Sequence, residues 1–339
     1  MKEIKTRDAV GHILCHDITQ IIKDKVKDAR FRKGHMVCEE DIPILLSLGK
    51  ENLFVWEKKE GFLHENEGAE ILRQICQGNH IRAAEVKEGK IDLFAECDGI
   101  LKIDTEKLVK INTLGEMMIA TRHGNKTVKA GEKLAGTRVI PLIIEKEKVE
   151  KAKEVAGLIP LLNIKSFLPK KVGIVTTGNE VLKGLIQDTF TPVIVEKVKA
   201  FGAEVVGMRM PGDDTDTITK HIKELVEEGA DFIICTGGMS VDPDDKTPLA
   251  IKNTGANIIS YGAPVLPGAM FLLSYYKENI PVIGLPGCVM YAKKTIFDLV
   301  LPRLMVGEIL EAKDLYILGE GGLCLDCPVC TFPNCGFGK

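Results

Sequence analysis

Three short apolar runs, each ending in a glycine-bearing loop, constrain this chain more than any other feature. Val172-Gly173-Ile174-Val175 leads into Thr176-Thr177-Gly178, Phe232-Ile233-Ile234-Cys235 into Thr236-Gly237-Gly238, and Val282-Ile283-Gly284-Leu285 into Pro286-Gly287. Apolar runs of this length without polar alternation suit strands buried on both faces, as in a parallel sheet. Amphipathic helices lie between them. Ile194, Val198 and Phe201 recur at helical spacing, as do Ile218, Ile222 and Leu225 with Val226 alongside. Thr191-Pro192 reads as a cap followed by a first helical residue, in a helix that Gly202 closes. Thr247-Pro248 opens another, closed by Gly255, and Gly229 reads as a further helix stop. Strands alternating with such helices predict a three-layer α/β domain with a mainly parallel sheet over residues 170–310.

The rest of the chain is less regular. Residues 1–60 read as a small α+β element: a strand and turn over Phe31–Val37, a helix carrying Ile44, Leu45 and Leu48 that stops at Gly49, then the strand Leu53-Phe54-Val55-Trp56. Residues 61–165 continue as α+β, with a helix near Ala69–Cys76 and strands near Gly99–Ile103 and Arg138–Ile144. The charge-alternating stretch Glu145–Glu154 reads as a solvated helix placed where a connector would sit. Residues 320–339 form a Cys-rich tail.

Composition excludes several function classes. Against 48 acidic residues stand 45 Lys and Arg, a net charge of −3, which lacks the clustered positive charge that nucleic acid needs. One Trp and 5% aromatic residues give no stacking platform for single strands. No apolar stretch approaches the ~20 residues that span a bilayer, and Met1–Asp8 has no apolar leader core. The expectation is a soluble, cytoplasmic protein without membrane or nucleic-acid partners. Six scattered cysteines (Cys15, Cys38, Cys76, Cys97, Cys235, Cys288) read as small apolar groups. His12, His16, His35 and His123 have no ligand-like spacing and read as structural or exposed.

In an open parallel sheet, ligands bind beyond the carboxyl ends of the strands. Glycines there let the backbone approach a ligand and present N–H groups to an anion. The middle loop also carries Asp242, Asp244 and Asp245. Three carboxylates beside an anion-favouring loop would repel a phosphate unless a divalent cation bridged them, and Mg²⁺ held by one or two carboxylates plus phosphate oxygens meets that need. The ordinary alternative is that Asp242 and Asp244 make a turn while Asp245 supports a helix start.

Taken together, these loops resemble the molybdopterin-binding domain shared by molybdopterin adenylyltransferases, molybdopterin molybdotransferases and gephyrin-like proteins. Thr236-Gly237-Gly238-Met239-Ser240 is similar to the family's S/T-G-G-x-S/G loop, and Thr177-Gly178-Asn179-Glu180 to its S-T-G-D/N-E-L. Pro243 and Asp245-Lys246-Thr247-Pro248 resemble P-R-D-x-T-P, with Asp244 in place of the Arg. Asp213-Asp214 resembles V-x-D-D, Pro267-Gly268 resembles K-P-G-K-P, and Leu285-Pro286-Gly287 resembles L-P-G-N-P, where Cys288-Val289 departs from the Asn-Pro. Asp41–Gly49 resembles an element that directly precedes the domain in molybdotransferases, and the residues after the domain are too few for their C-terminal β-domain.

The resemblance implies molybdenum cofactor biosynthesis by a divergent, molybdotransferase-like enzyme that binds molybdopterin with Mg²⁺. The reaction would insert molybdate or transfer a phosphoryl or adenylyl group from a nucleotide. Thr177, Gly178, Glu180, Thr236, Gly237, Gly238, Ser240, Pro267, Gly268, Pro286 and Gly287 would contact the pterin, while Asp245 would hold Mg²⁺ with help from Asp213 as the catalytic pair. It also implies assembly into a homo-oligomer. A non-catalytic carrier or sensor, handing molybdopterin to a maturing molybdoenzyme, is the alternative.

The tail carries Cys324-x2-Cys327-x2-Cys330-x4-Cys335. Four thiolates so spaced can close on one metal centre. Tetrahedral Zn²⁺ and a [4Fe–4S] cluster both fit, the spacing approaching a bacterial ferredoxin run without matching it.

Overall fold

The computed structural model describes residues 2–339 except 23–25, 56–59, 186, 241 and 278, and leaves the side chains of Ile22, Val26, Lys27, Glu180 and Val181 undescribed. The chain divides into two compact units. One comprises Met1–Cys97, Lys102–Arg122 and Lys129–Ile164; the other comprises Asp98–Leu101, His123–Val128 and Lys165–Lys339.

The first unit is α+β. Its hairpin Ile18–Ile22/Val26–Phe31 is followed by the helix Asp41–Ser47, which Gly49 ends at φ 77°. The strand Asn52–Val55 pairs antiparallel with Lys2–Lys5, and Trp56 lies outside the described residues. The helix Glu65–Cys76 buries Leu72, Ile75 and Cys76. Beside it, Ile81–Ala83, Lys90–Ala95, Lys133–Val139 and Met117–Thr121 form a four-stranded antiparallel sheet. The run Arg138–Ile144, read from sequence as one strand, is two: Lys133–Val139 stops short of Pro141, and Ile143–Glu145 pairs with Phe62–His64. Proline has no N–H for a ladder, so the apolar run is cut there. The charged stretch is the helix Lys146–Ala156, but it is not wholly solvated: Val149, Ala152 and Ala156 are buried in this first unit.

The second unit is an α/β domain. Its strands are β1 (Lys171–Thr176), β2 (Glu204–Arg209), β3 (Phe232–Thr236), β4 (Asn257–Tyr261), β5 (Leu272–Tyr276) and β6 (Ile280–Leu285). Its helices are α1 (Asn179–Leu182), α2 (Phe190–Lys199), α3 (Thr215–Glu227), α4 (Thr247–Asn253), α5 (Ile296–Met305) and α6 (Ala312–Tyr316). The sheet order is β2-β1-β3-β6-β5-β4. The first four strands are parallel and the last two antiparallel to their neighbours.

Both sheet faces are covered, which is why the central strands lack polar alternation. Ile174, Ile234 and Ile283 pack with Ile194, Val198 and Phe297 in one core cluster. Val175, Ile233, Cys235 and Val282 pack with Ile218, Ile222 and Leu225 in the other. Burying each such side chain stabilises by about 1.5–3 kcal/mol over leaving it in water. The α2 start differs from its sequence reading. Helix α2 begins at Phe190, and Asp188 Oδ1 accepts the amides of Phe190 (2.9 Å) and Thr191 (3.0 Å). The Thr191 hydroxyl instead meets that of Thr176 at 2.7 Å.

Candidate functional site at the strand carboxyl ends

Register places the loops in a row. Thr176 pairs with Thr236, and Thr236 with Leu285, so β1, β3 and β6 end side by side. Thr177-Gly178, Gly237-Gly238 and Pro286-Gly287 therefore leave the sheet at one level. The Thr177 amide donates to the Thr236 carbonyl at 2.8 Å, adding one rung beyond the strands. Tyr261 ends β4 opposite Leu272, itself opposite Gly284, so the β4–β5 loop with Pro267-Gly268 emerges at the same edge. The peptide Leu266-Pro267 is cis. The Ile296 amide donates to the Pro267 carbonyl at 3.2 Å, tying that loop to the start of α5.

The β3 loop is held by Thr247, which is fully buried. Its hydroxyl donates to the Gly237 carbonyl at 2.7 Å, and its amide donates to the Gly238 carbonyl at 3.2 Å. Gly237 (φ 83°) and Gly238 (φ 54°) are both left-handed. A Cβ at Gly237 would lie 2.3 Å from the Thr177 carbonyl oxygen, so only glycine fits. Thr236 is fully buried and its hydroxyl has no hydrogen-bond partner among the described residues. Ser240 is exposed. The Tyr261 hydroxyl lies 2.9 Å from the Met239 carbonyl and 3.2 Å from that of Ser240. Burial, and then the negative charge of Asp245, push the Tyr261 phenol above its ordinary range.

The two candidate catalytic carboxylates occupy different loops. Asp245 is half-buried; its Oδ2 accepts the Asp242 amide, and its own amide donates to the Asp242 carbonyl, both at 2.9 Å. Asp213 Oδ2 accepts the Asn179 amide at 2.9 Å, joining the β2 loop to the start of α1. Asp214 is the N-cap of α3, accepting the Thr217 amide at 2.9 Å. A cavity of about 520 Å³ opens here between Asn179, Gly212, Asp213 and His221. Among the described residues no three His, Cys, Asp or Glu side chains are grouped to hold one metal ion. That donor set does not suit a metal caged wholly by protein. It does suit Mg²⁺ taking a single carboxylate oxygen and completing its shell with phosphate oxygens and water.

Thus Thr177, Gly178, Thr236, Gly237, Gly238, Ser240, Pro267, Gly268, Pro286 and Gly287 all lie in loops leaving one edge of the sheet, while the Glu180 side chain lies outside the described residues. Sequence reasoning did not single out Asn179 or Tyr261. Asn179 sat within a quoted motif; Tyr261 had no local signal. A second cavity, about 550 Å³, is lined by none of the candidate pterin-contacting residues. Three of its cations are paired: Lys197 and Lys294 with Asp298, and Arg303 with Glu308 and Asp314.

The sheet order and its row of glycine-bearing loops define an α/β domain of the open, mainly parallel-sheet class. Residues 173–306 match the family model described as "Probable molybdopterin binding domain". Residues 3–57 match a domain of unknown function. A CinA-like protein of Mycobacterium avium (strain 104) is 35% identical over 77 residues, which span 23% of this chain and only 18% of that relative. Among solved structures, the molybdopterin biosynthesis enzyme MoaB of Thermus thermophilus is similar at 24% identity and a TM-score of 0.33, covering 41% of this chain and 98% of that one. CinA of Thermoplasma acidophilum, of unknown function, stands at 21% identity and a TM-score of 0.33, covering 41% and 100%. No helix among the described residues is long and apolar enough to cross a membrane.

Proposed function

We propose that the protein acts in molybdenum cofactor biosynthesis, binding molybdopterin across the carboxyl ends of β1, β3 and β6 and promoting Mg²⁺-dependent transfer there. The observation that carries this reading is the register of Thr176, Thr236 and Leu285, which aligns three glycine-bearing loops of a molybdopterin-binding domain. Backbone N–H groups of the left-handed Gly237-Gly238 loop would meet phosphate or pterin oxygens. Mg²⁺ would supply charge neutralisation at the phosphate. Asp245 would hold it, with Asp213 keeping the β2 loop closed on Asn179. Positioning and charge neutralisation are the main demands of phosphoryl and related transfers. Among such transfers the Thr177–Glu180 and Ser240-Val241 matches favour molybdate insertion, while Asp245–Pro248 favours adenylyl transfer.

A carrier is the second reading, and one observation favours it. Both Asp213 and Asp245 already accept backbone amides, so each carboxylate has a positioning task without any metal. Anaerobic incubation with molybdopterin, molybdate, Mg²⁺ and ATP or its adenylylated pterin product decides between them. Mg²⁺-dependent product formation is expected; stoichiometric pterin binding with no turnover supports the carrier, and no pterin binding overturns both.

A further inference from the structure

The first unit has a cavity of its own, about 550 Å³, which shares no residue with the strand-end loops. It lies where the helix Glu65–Cys76 begins, against the turn Lys87–Lys90 and the segment around His16 and Asp17. Lys87 and Lys90 close that turn with amide-to-carbonyl bonds in both directions, each 2.9 Å. Two contacts then fix it against the helix start. The Gly89 amide donates to Asn66 Oδ1 at 2.9 Å, and a Cβ at Gly89 would lie 3.0 Å from Glu65 Oε2. Gly89 is left-handed at φ 69°, so glycine is what lets the turn close over Glu65.

Glu65 is only 6% exposed, and its backbone amide is spent on the Leu142 carbonyl at 2.9 Å. Its carboxylate lines the cavity and meets no hydrogen-bond or ion-pair partner among the described residues. Burying a carboxylate without a partner is costly, so this one is set up for a group that the chain itself does not supply. Burial accordingly pushes Glu65 above the ordinary carboxylate range, against the opposing charges of Arg138 and Lys33. His16 repeats the pattern. Its Nδ1 is buried and has no partner among the described residues. Burial also lowers His16, so the ring is neutral at pH 7 and keeps one acceptor nitrogen. Asp17 and Glu88 stand near enough to add negative charge around both groups. The bordering cations Arg32, Lys33 and Lys87 are all exposed, and none of them pairs with Glu65.

We propose that this cavity binds a small molecule bearing a guanidinium group, with the Glu65 carboxylate as its anchor. Both carboxylate oxygens are unpaired, and a guanidinium offers two parallel N–H groups that match them. It is also more weakly hydrated than an ammonium, so burial costs it less. The neutral His16 ring adds an acceptor for an N–H that this fork leaves over. A metal ion does not suit the same place: among the described residues no three His, Cys, Asp or Glu are grouped to hold one, the four tail cysteines included. The cavity's size falls within the ~300–1,000 Å³ of small-molecule pockets.

The test uses the full chain, with L-arginine as the probe and L-citrulline, its neutral counterpart, as the control. Arginine should bind once per chain by calorimetry and raise the thermal midpoint, and citrulline should do neither at the same concentration. Glu65→Gln keeps the side chain's shape and removes its charge. Arginine affinity should then fall at least about tenfold, as for loss of a hydrogen bond to a charged group, in a variant with the parent's circular dichroism. Glu88→Gln leaves the helix start untouched and serves if that variant does not fold; it should weaken arginine by about two- to fivefold. No arginine binding at millimolar concentration, or equal binding of citrulline, overturns the proposal. Parent affinity in Glu65→Gln also overturns it, by confining this carboxylate to a role at the helix start. No pterin enters the measurement, so failure here is distinct from failure of pterin binding.

Discussion

The hydroxyls of Thr177 and Thr247 lie 3.2 Å apart, although seventy residues separate them in the chain. Since Thr247 gives its one hydroxyl proton to the Gly237 carbonyl, Thr177 is the donor in this pair. The chain of bonds runs from the end of β1, through the start of α4, to the first glycine after β3. It fixes two of the three aligned loops against each other without using the N–H groups of Gly237 or Gly238. Those amides stay free of that chain for a ligand.

Thr247→Val should break this link. Valine matches the shape but neither donates nor accepts, so the Gly237 carbonyl and the Thr177 hydroxyl lose their partner in a buried place. An unmade bond of that kind costs about 1–3 kcal/mol. Urea denaturation should show that loss, calorimetry should show weakened pterin binding, and Thr247→Ser should recover both. A Val variant with parent affinity would mean the loops hold their relative positions unaided.

Gly237→Ala and Gly229→Ala form a matched pair. Both sites have left-handed backbone, at φ 83° and 100°, so each substitution should cost about 1–2 kcal/mol of stability. Only at Gly237 would the new methyl strike the Thr177 carbonyl; at Gly229 nothing lies within 4 Å. Pterin affinity per folded molecule should therefore fall for Gly237→Ala and hold for Gly229→Ala. Equal affinity losses would show that the β3 loop has no special role.

The sheet was legible because its cause is local: a strand buried on both faces must be apolar throughout, and Val172–Val175, Phe232–Cys235 and Val282–Leu285 are. The amphipathic spacing of α3 and the stop at Gly229 were legible for the same reason. Errors arose where one local signal masked another. Asp188, upstream of the expected Thr191 cap, captured the free amides of α2, and Pro141 split an apolar run that composition alone reads as a strand. What no single sequence carries is pairing at a distance. The Thr177–Thr247 contact, Tyr261 against the Ser240 backbone, and Leu266 against the tail each join loops that share only a place on the finished sheet.

Asp245→Asn separates metal binding from turn building. Asparagine keeps a side-chain oxygen for the Asp242 amide, so the variant should melt as the parent does. It loses the charge that Mg²⁺ requires. The fall in Mg²⁺-dependent turnover should at least match the ~10–100-fold that follows loss of a metal's outer-shell partner. Parent activity in a normally melting variant would reduce Asp245 to the tie of its own turn.

The first unit should lose stability in mild acid through His64. This ring is 1% exposed; its Nε2 lies 2.6 Å from the Cys15 carbonyl and must carry the proton it donates there. Its Nδ1 faces two donors, Lys33 Nζ at 2.8 Å and the Asn66 amide at 3.2 Å, and so accepts. A second proton, on Nδ1, would face the Lys33 ammonium and the Asn66 amide, both donors. Burial, with the Lys33 charge adding to it, accordingly holds His64 below its ordinary value, and burial lowers His16 as well. A base depressed in the folded state binds protons more readily unfolded. Its contribution is therefore complete above the unfolded value of about 6.5 and declines as pH falls below it. Asp41 cannot produce that decline. Partial burial opposes its ionisation, but the Cys38 amide and thiol and the His35 ring outweigh burial and bring it to about 2. Its contribution is kept until pH falls below the unfolded carboxylate value of about 3.9. Denaturation midpoints for the first unit should thus drop between pH 7.5 and pH 5, about the window that unfolded histidine sets, and His64→Gln should flatten the slope while lowering stability at neutral pH. A parent midpoint unchanged across that window would show that His64 takes up its second proton in the fold as readily as in the unfolded chain.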